Sequence, residues 1–263
     1  MQPLIPSPVR LPGVPTSTQA LGTRYRVRLA AGPEDVRAAQ VLRFVVFNLE
    51  LREGLESSFL TLLDSDRFDA VCDHLLVETS EGEVVGTYRL QTGTTAALNH
   101  GYYSEQEFDF GPFEPMRSRM VELGRACVRS DHRNFAVLNL LWRGIAAYAR
   151  RRGARWLIGC SSLASQDPTE GAAAYRQMEG NLVEPALRTR PTSAFRFPME
   201  PSAGVPPPLP RLLSGYLAVG ARICGEPALD REFRTIDFLT LLDLDAIPSR
   251  VASRFFAEPV NLG

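Results

Sequence analysis

Two residue types stand out where their neighbours are apolar. Glu122 and Arg125 interrupt Val121-Glu122-Leu123-Gly124-Arg125-Ala126-Cys127-Val128, a run that otherwise reads as a buried strand. A carboxylate in such a run loses hydration, and its pKa rises toward the range where it can take up a proton. Glu122 is therefore the candidate general base. The competing reading pairs Glu122 with Arg125 or Arg89. In a regular strand, residues three apart point to opposite faces, so Glu122 and Arg125 share a face only if the strand bulges. Arg89 ends the run Val84-Val85-Gly86-Thr87-Tyr88-Arg89-Leu90, where a side chain can reach the cleft of a sheet. The planar fork of Arg89 or Arg125 suits a carboxylate ligand.

Arg43 and Phe47 are four apart and share one face of a helix. They either line a pocket for an acceptor, or Phe47 lies in the core while Arg43 caps an acidic loop. Asp66 and Asp69 lie in that loop and can hold Arg43 or Arg89 by ion pairs. His74 follows Asp73 and reads as a hydrogen-bonded structural histidine rather than a proton shuttle. Cys160 ends an apolar strand and reads as an inert thiol rather than a nucleophile.

These residues belong to a chain of 263 residues, 44% hydrophobic and 22% charged, with a formal net charge of -1. That is long enough to bury a core without disulfides or metal. The charge balance argues against a nucleic-acid partner. All 29 basic residues are arginine. Without lysine there is no Schiff-base chemistry and no phosphate-binding Gly-Lys-Ser/Thr loop. Four scattered cysteines and three scattered histidines offer no metal-ligand spacing, so no metal is expected. No signal peptide or membrane-spanning run is apparent, and a cytoplasmic location is expected.

The elements that must position the candidates are legible in outline. Residues 1–23, rich in proline, read as a disordered leader. The ordered domain is expected over 24–263. Tyr25–Leu29 alternates as a strand, and Gly32-Pro33-Glu34-Asp35 opens a helix through Val36, Gln40, Phe44 and Phe47. Residues 50–73 are acidic and irregular. A hairpin pairs 74–78 with 84–90, and a strand covers 121–128. The helix from Asn134 to Arg152 carries the stripe Leu138, Leu141, Ile145 and Tyr148, with Gly153 as its cap. Trp156–Cys160 is a short buried strand. Residues 198–210 hold six prolines and form a stiff connector within the domain. A short helix near 212–219 and a strand at 238–244 complete the sheet. The order gives an α/β domain with a mixed sheet.

Six motifs then occur in order: Leu42-Arg43-Phe44-Val45-Val46-Phe47; Asp66-Arg67-Phe68-Asp69 with Cys72-Asp73-His74-Leu75-Leu76-Val77; Val85-Gly86-Thr87-Tyr88-Arg89-Leu90; Glu122-Leu123-Gly124-Arg125; Leu209–Leu217; and Gly220-Ala221. Together, over roughly residues 25–256, they resemble the N-acyltransferases that acylate ornithine in bacterial ornithine-lipid synthesis. The related N-acyl amino acid synthases share the set, and a more distant likeness to the acyl-homoserine-lactone synthases rests on the helix arginine and phenylalanine, the two acids, the strand arginine and the Glu-x-x-Arg pair.

The resemblance implies a single GNAT-like acyltransferase domain, with a mixed, mostly antiparallel sheet flanked by helices. It implies an acyl carrier protein as donor, an amine acceptor and no bound cofactor. The reaction would move a long fatty acyl chain, with or without a 3-hydroxyl group, to an amino acid's α-amine, with ornithine favoured. Amide formation then needs Glu122 as base, directly or through water. Arg43, Phe47, Arg89 and Arg125 would contact the acceptor, and Asp66 and Asp69 either bind its second amine or hold the arginines. Acetyl-CoA enzymes of this fold cradle pyrophosphate with Gln/Arg-x-x-Gly-x-Gly/Ala. Here the stretch is Arg133-Asn134-Phe135-Ala136-Val137-Leu138, with both glycines replaced. That departure favours the carrier-protein donor, held by Arg129 and Arg133 beside Arg150, Arg151, Arg152 and Arg155. A lipid product implies peripheral contact with the inner face of the membrane. Two alternatives stay open: an acyl-CoA-dependent GNAT acting on a small amine, and a non-catalytic acyl-binding module.

Overall fold

A computed structural model describes residues 24–199 and 206–255, with Val260 and Leu262. The leader expected over 1–23 and the central part of the proline-rich connector lie outside the described residues.

One mixed, mostly antiparallel sheet organises the chain. β1 (Tyr25–Leu29), β2 (Asp73–Thr79), β3 (Val84–Thr92) and β4 (Met120–Val128) pair antiparallel in succession. β5 (Trp156–Leu163) runs parallel to β4. The short β6 (Arg222–Ile223) and β7 (Ala228–Asp230) both pair with the long β8 (Thr235–Asp243), which lies antiparallel to β5. The sheet order is β1-β2-β3-β4-β5-β8-β6, so the C-terminal quarter completes the sheet.

Seven helices accompany these strands among the described residues: α1 (Pro33–Arg43), α2 (Ser58–Thr61), α3 (Gly93–Leu98), α4 (Phe135–Arg151), α5 (Pro168–Gln177), α6 (Arg211–Ala218) and α7 (Ser249–Phe255). None of them is long and apolar enough to cross a membrane. α1 passes without a break into a π-helical segment, Phe44–Leu51, whose wider turn ends at Arg52 in the left-handed region.

α4 is the crossover between the parallel strands β4 and β5. Asn134 caps it by accepting the Val137 N–H at 3.1 Å. Gly153, at φ 64°, ends it. Its buried stripe is Val137, Leu141, Ile145 and Tyr148. Leu138, expected in that stripe, is 40% exposed, because the fourfold spacing back from Leu141 selects Val137 instead. The stripe packs on Leu75, Val77 and Leu90 of β2 and β3. α1 and its π-helical extension contribute Leu42 and Val46 to a smaller cluster with Cys127 of β4.

Candidate active site

The strands β4 and β5 hold together over only three residue pairs, Met120 to Glu122 against Trp156 to Ile158. Beyond them β4 follows β3, while β5 stays with β8 over all eight of its residues. A cleft opens where the two strands part. Just there β4 carries a bulge. Arg89 and Thr87 of β3 oppose Gly124 and Cys127, so β4 holds one surplus residue. Arg125 takes that place at φ 49°, a conformation that side chains other than glycine seldom adopt. The bulge turns Arg125 toward α1, onto the face that Glu122 also uses. Glu122 and Arg125 do not pair with each other.

Arg125 instead meets Asp64, with Nε 3.1 Å from Oδ1, and its guanidinium stacks on the rings of Phe47 and Phe233. Asp64 also binds Arg43, whose Nε lies 2.9 Å from Oδ1. Arg43 then grips both oxygens of Asp69, at 3.0 and 2.5 Å. Asp69 passes to Arg89 at 3.0 Å, and Arg89 holds Asp66 at 2.6 Å. Three arginines thus alternate with three aspartates in one chain of ion pairs. Burial alone would raise the Asp69 carboxyl, yet Arg43 and Arg89 hold it well below the usual carboxylate range. Arg43 is 1% exposed, so it positions Asp64 and Asp69 and does not face the cleft. Arg125 is the partly exposed arginine of the three, and its Nη1 has no hydrogen-bond partner among the described residues. His74 is buried, donates from Nε2 to the Asp69 carbonyl at 3.1 Å, and has its pKa lowered by burial.

Glu122 is buried on β4 and caps the short turn Tyr103–Gln106. Its carboxylate accepts the Tyr103 N–H at 2.7 Å, the Ser104 N–H at 2.8 Å and the Ser104 hydroxyl. Burial pushes its pKa up, while these hydrogen bonds pull it back. The Tyr103 ring, held by this cap, meets the Phe68 ring edge-to-face and lies under the Arg89 guanidinium. Glu122 and the arginine chain therefore meet through Tyr103.

The cleft itself is lined by Leu123, Trp142, Leu157, Cys160, Tyr216 and Leu242, among others. It holds about 30 Å³, room for a couple of water molecules. A fatty chain entering here must part its walls. Burial raises the Cys160 thiol well above its ordinary pKa, so it stays protonated and is a poor nucleophile. It donates to Glu107 at 3.5 Å.

Glu107 belongs to a group the sequence did not bring together. Glu107, Asp230 and Asp237 are all buried and place carboxylate oxygens within 4.8 Å of one another. Burial and its acidic neighbours raise Glu107 well above the carboxylate range, and burial pushes Asp237 up to about 6. Asp237, in Ile236-Asp237-Phe238-Leu239, carries the signal that singled out Glu122, an acid in an apolar strand. Glu107 and Tyr103 carry none.

At the N-terminus of α4, Arg133 pairs with Glu50 and donates to the Val128 carbonyl at 2.9 Å. Arg129 pairs with Glu83 and Asp131. Arg150, Arg151 and Arg152 lie at the other end of the helix, roughly 25 Å away at 1.5 Å per residue. The six arginines expected around α4 are thus two separate groups. Arg152 is tied to Asp73, and Arg155 to Asp243.

Residues 42–143 match the acetyltransferase (GNAT) domain family. In fold, the chain is similar to the acyl-homoserine-lactone synthase LasI, with a TM-score of 0.51 at 12% identity over 91% of this chain and 98% of that one. It is similar also to BjaI, a CoA-dependent acyl-homoserine lactone synthase, with a TM-score of 0.52 at 16% identity over 87% and 90%. Sequence similarity is much stronger to two curated enzymes. The L-ornithine N(alpha)-acyltransferase of Rhizobium meliloti (strain 1021) is 34% identical over 88% of this chain and 84% of its own. That of Brucella abortus (strain 2308) is 33% identical over 88% and 89%. Identity of this size along nearly the whole of both partners makes the chain an acyltransferase and a member of the L-ornithine N(alpha)-acyltransferase family.

Proposed function

We propose that this chain transfers a long fatty acyl group, 3-hydroxylated where the donor pool supplies it, from acyl carrier protein to the α-amine of ornithine. The observation that carries the reading is the 34% identity to an ornithine N(alpha)-acyltransferase along nearly the whole chain, together with a cleft, lined largely by apolar side chains, where β5 parts from β4, the strand that carries Glu122 and Arg125. Arg125 takes the acceptor's carboxylate through its remaining donor, with Arg89 behind it. Arg43, Asp66 and Asp69 position these two arginines, and Phe47 supports Arg125 from below.

Glu122 accepts a proton from the α-ammonium, directly or through one water, and passes it to solvent. The free amine then attacks the thioester carbonyl. A C–N bond forms, the C–S bond breaks, and the second amine proton goes to the departing thiolate. The products are the N-acyl amino acid and the carrier's free thiol. The carrier-protein donor is supported by the N-terminus of α4. Where a pyrophosphate cradle needs glycines, it bears Ala136 and Leu138, and Phe135 and Leu138 are exposed there. Arg129 and Arg133 flank that end and suit an acidic carrier. A carrier-protein donor keeps the enzyme in the cytoplasm, and its amphiphilic product draws it into peripheral contact with the membrane.

The test is mass spectrometry of lipids from a host lacking aminolipids that expresses the chain or Glu122→Ala, followed by assays with purified acyl carrier protein and acyl-CoA donors. An acyl-ornithine in the wild type and none in the variant is expected, with carrier-bound chains preferred. The variant leaves the Tyr103 and Ser104 N–H groups without their acceptor, at about 1–3 kcal/mol each, so its folding is checked by circular dichroism. A folded variant with full activity removes the base assignment. A wild type that uses only short acyl-CoA removes the donor assignment.

A further inference from the structure

An enzyme that acylates only the α-nitrogen of a diamino acid must keep the second amine away from the thioester. Asp66 and Asp69, which the sequence offers for that amine, are committed to Arg43 and Arg89. Glu107, Asp230 and Asp237 have no such commitment. No described arginine forms an ion pair with any of the three, and each is 3% exposed or less.

Their hydrogen bonding is uneven. Asp230 accepts the N–H groups of Glu232 and Phe233 at 2.8 and 3.0 Å. Asp237 Oδ2 accepts from Thr235 at 3.2 Å, and Glu107 Oε2 accepts from the Cys160 thiol. Ser162 also hydrogen-bonds Asp237, and the Glu107 and Asp237 carboxyls hydrogen-bond each other, which requires a proton on one of them; apart from that shared proton, Glu107 Oε1 and Asp237 Oδ1 are buried without a donor. Buried charge of one sign with empty acceptor positions calls for a cation rich in N–H donors. Without one, the carboxyls must retain a proton.

The location supplies the rest. Cys160, which touches Glu107, lies two residues beyond the last pair that joins β5 to β4 and lines the cleft. The turn that begins at Asp230 carries Phe233, whose ring packs on Arg125 at 4.8 Å. The three acids therefore sit beside both the cleft and the arginine left to hold a carboxylate.

We propose that Glu107, Asp230 and Asp237 form the slot for the side-chain ammonium of a diamino-acid acceptor, so that the α-amine alone reaches the thioester. The assignment rests on the reading of this chain as an amino-acid N-acyltransferase. A slot built to pair with an ammonium rejects an acceptor that lacks one, because its acids are then left uncompensated. Selection for ornithine over neutral amino acids and selection for the α-nitrogen thus arise from the same three side chains.

The test uses ornithine and norvaline, which differs by lacking the side-chain amine. Binding to the full chain is measured by calorimetry, and kcat/KM is measured in the acylation assay, for wild type, Asp237→Asn and Glu107→Gln. Both substitutions are neutral isosteres, and circular dichroism melts report their folding. Wild type is expected to favour ornithine at least about tenfold in binding, as for a lost charge-assisted hydrogen bond. Each variant is expected to bring the ratio near one by weakening ornithine alone. A wild-type ratio near one overturns the slot, as does an undiminished ratio in folded variants, or neither binding nor turnover of ornithine. Titration with Mn²⁺ provides a further arm. Binding of Mn²⁺ that needs these acids and leaves the ornithine preference intact assigns them to a metal and overturns the proposal. Ornithine that binds as expected but is never acylated refutes the acyltransferase reading and leaves the slot standing.

Discussion

Asp237→Asn should make this protein more stable, by an amount that depends on pH. In the folded chain burial raises the Asp237 carboxyl from 3.8 to about 6. Where the folded pKa lies above the unfolded one, the native state binds the extra proton, and stability falls as pH rises between the two values. The loss begins near the unfolded value and is complete above the folded one. A difference of about 2 pKa units corresponds to about 3 kcal/mol. Asparagine resembles the protonated carboxyl and carries no such penalty. The variant's advantage should therefore be under about 1 kcal/mol at pH 4 and approach about 3 kcal/mol at pH 7, flat beyond. At roughly 2–4 °C per kcal/mol for a domain of this size, the melting temperature at pH 7 should rise by about 6–12 °C. Thermal melts of the two proteins by circular dichroism at pH 4, 5, 6 and 7 check this. An advantage independent of pH, or a variant less stable than wild type at pH 7, refutes the claim that this carboxyl is buried without a compensating cation. Higher stability together with weaker ornithine binding is the pattern of a binding site held at a cost to the fold.

Two further outcomes follow from the geometry. Arg43→Met leaves Asp64 and Asp69 without their shared buried cation and should cost about 3–5 kcal/mol, measured by urea denaturation. A loss below about 1 kcal/mol would mean that the arginine and aspartate chain does not hold the site together. Gly159 of β5 lies so close to β4 that a Cβ would overlap the Leu123 carbonyl. Gly159→Ala should therefore shift the strands where the cleft begins, cost about 1–3 kcal/mol and raise KM for the acyl donor more than for the acceptor. Equal changes in the two KM values would place donor entry elsewhere.

Local pattern was enough for the elements around the site. Tyr25–Leu29, the hairpin of β2 and β3, β4 and α4 all follow from alternation or threefold and fourfold spacing, with proline, asparagine and glycine at the ends. The same patterns isolated Glu122, Arg125, Arg89 and Arg43 as polar residues in apolar surroundings, because such residues must be compensated somewhere. The choice of compensating partner is not local. Asp64, which joins Arg43 to Arg125, stood unremarked in an acidic loop, and Glu122 turned out to cap a turn rather than meet an arginine. Glu107 and Asp237, distant in the chain, come together only when β8 pairs with β5. The bulge at Arg125 is likewise a product of pairing, since one surplus residue has meaning only against the register of β3. Sequence by itself determined the main elements around the site, the family and which side chains needed partners, since hydrophobic periodicity and desolvation act on each segment alone. Tertiary structure decided which partners they received and which acids were left with none, because ion pairing and burial depend on distances between segments far apart in the chain.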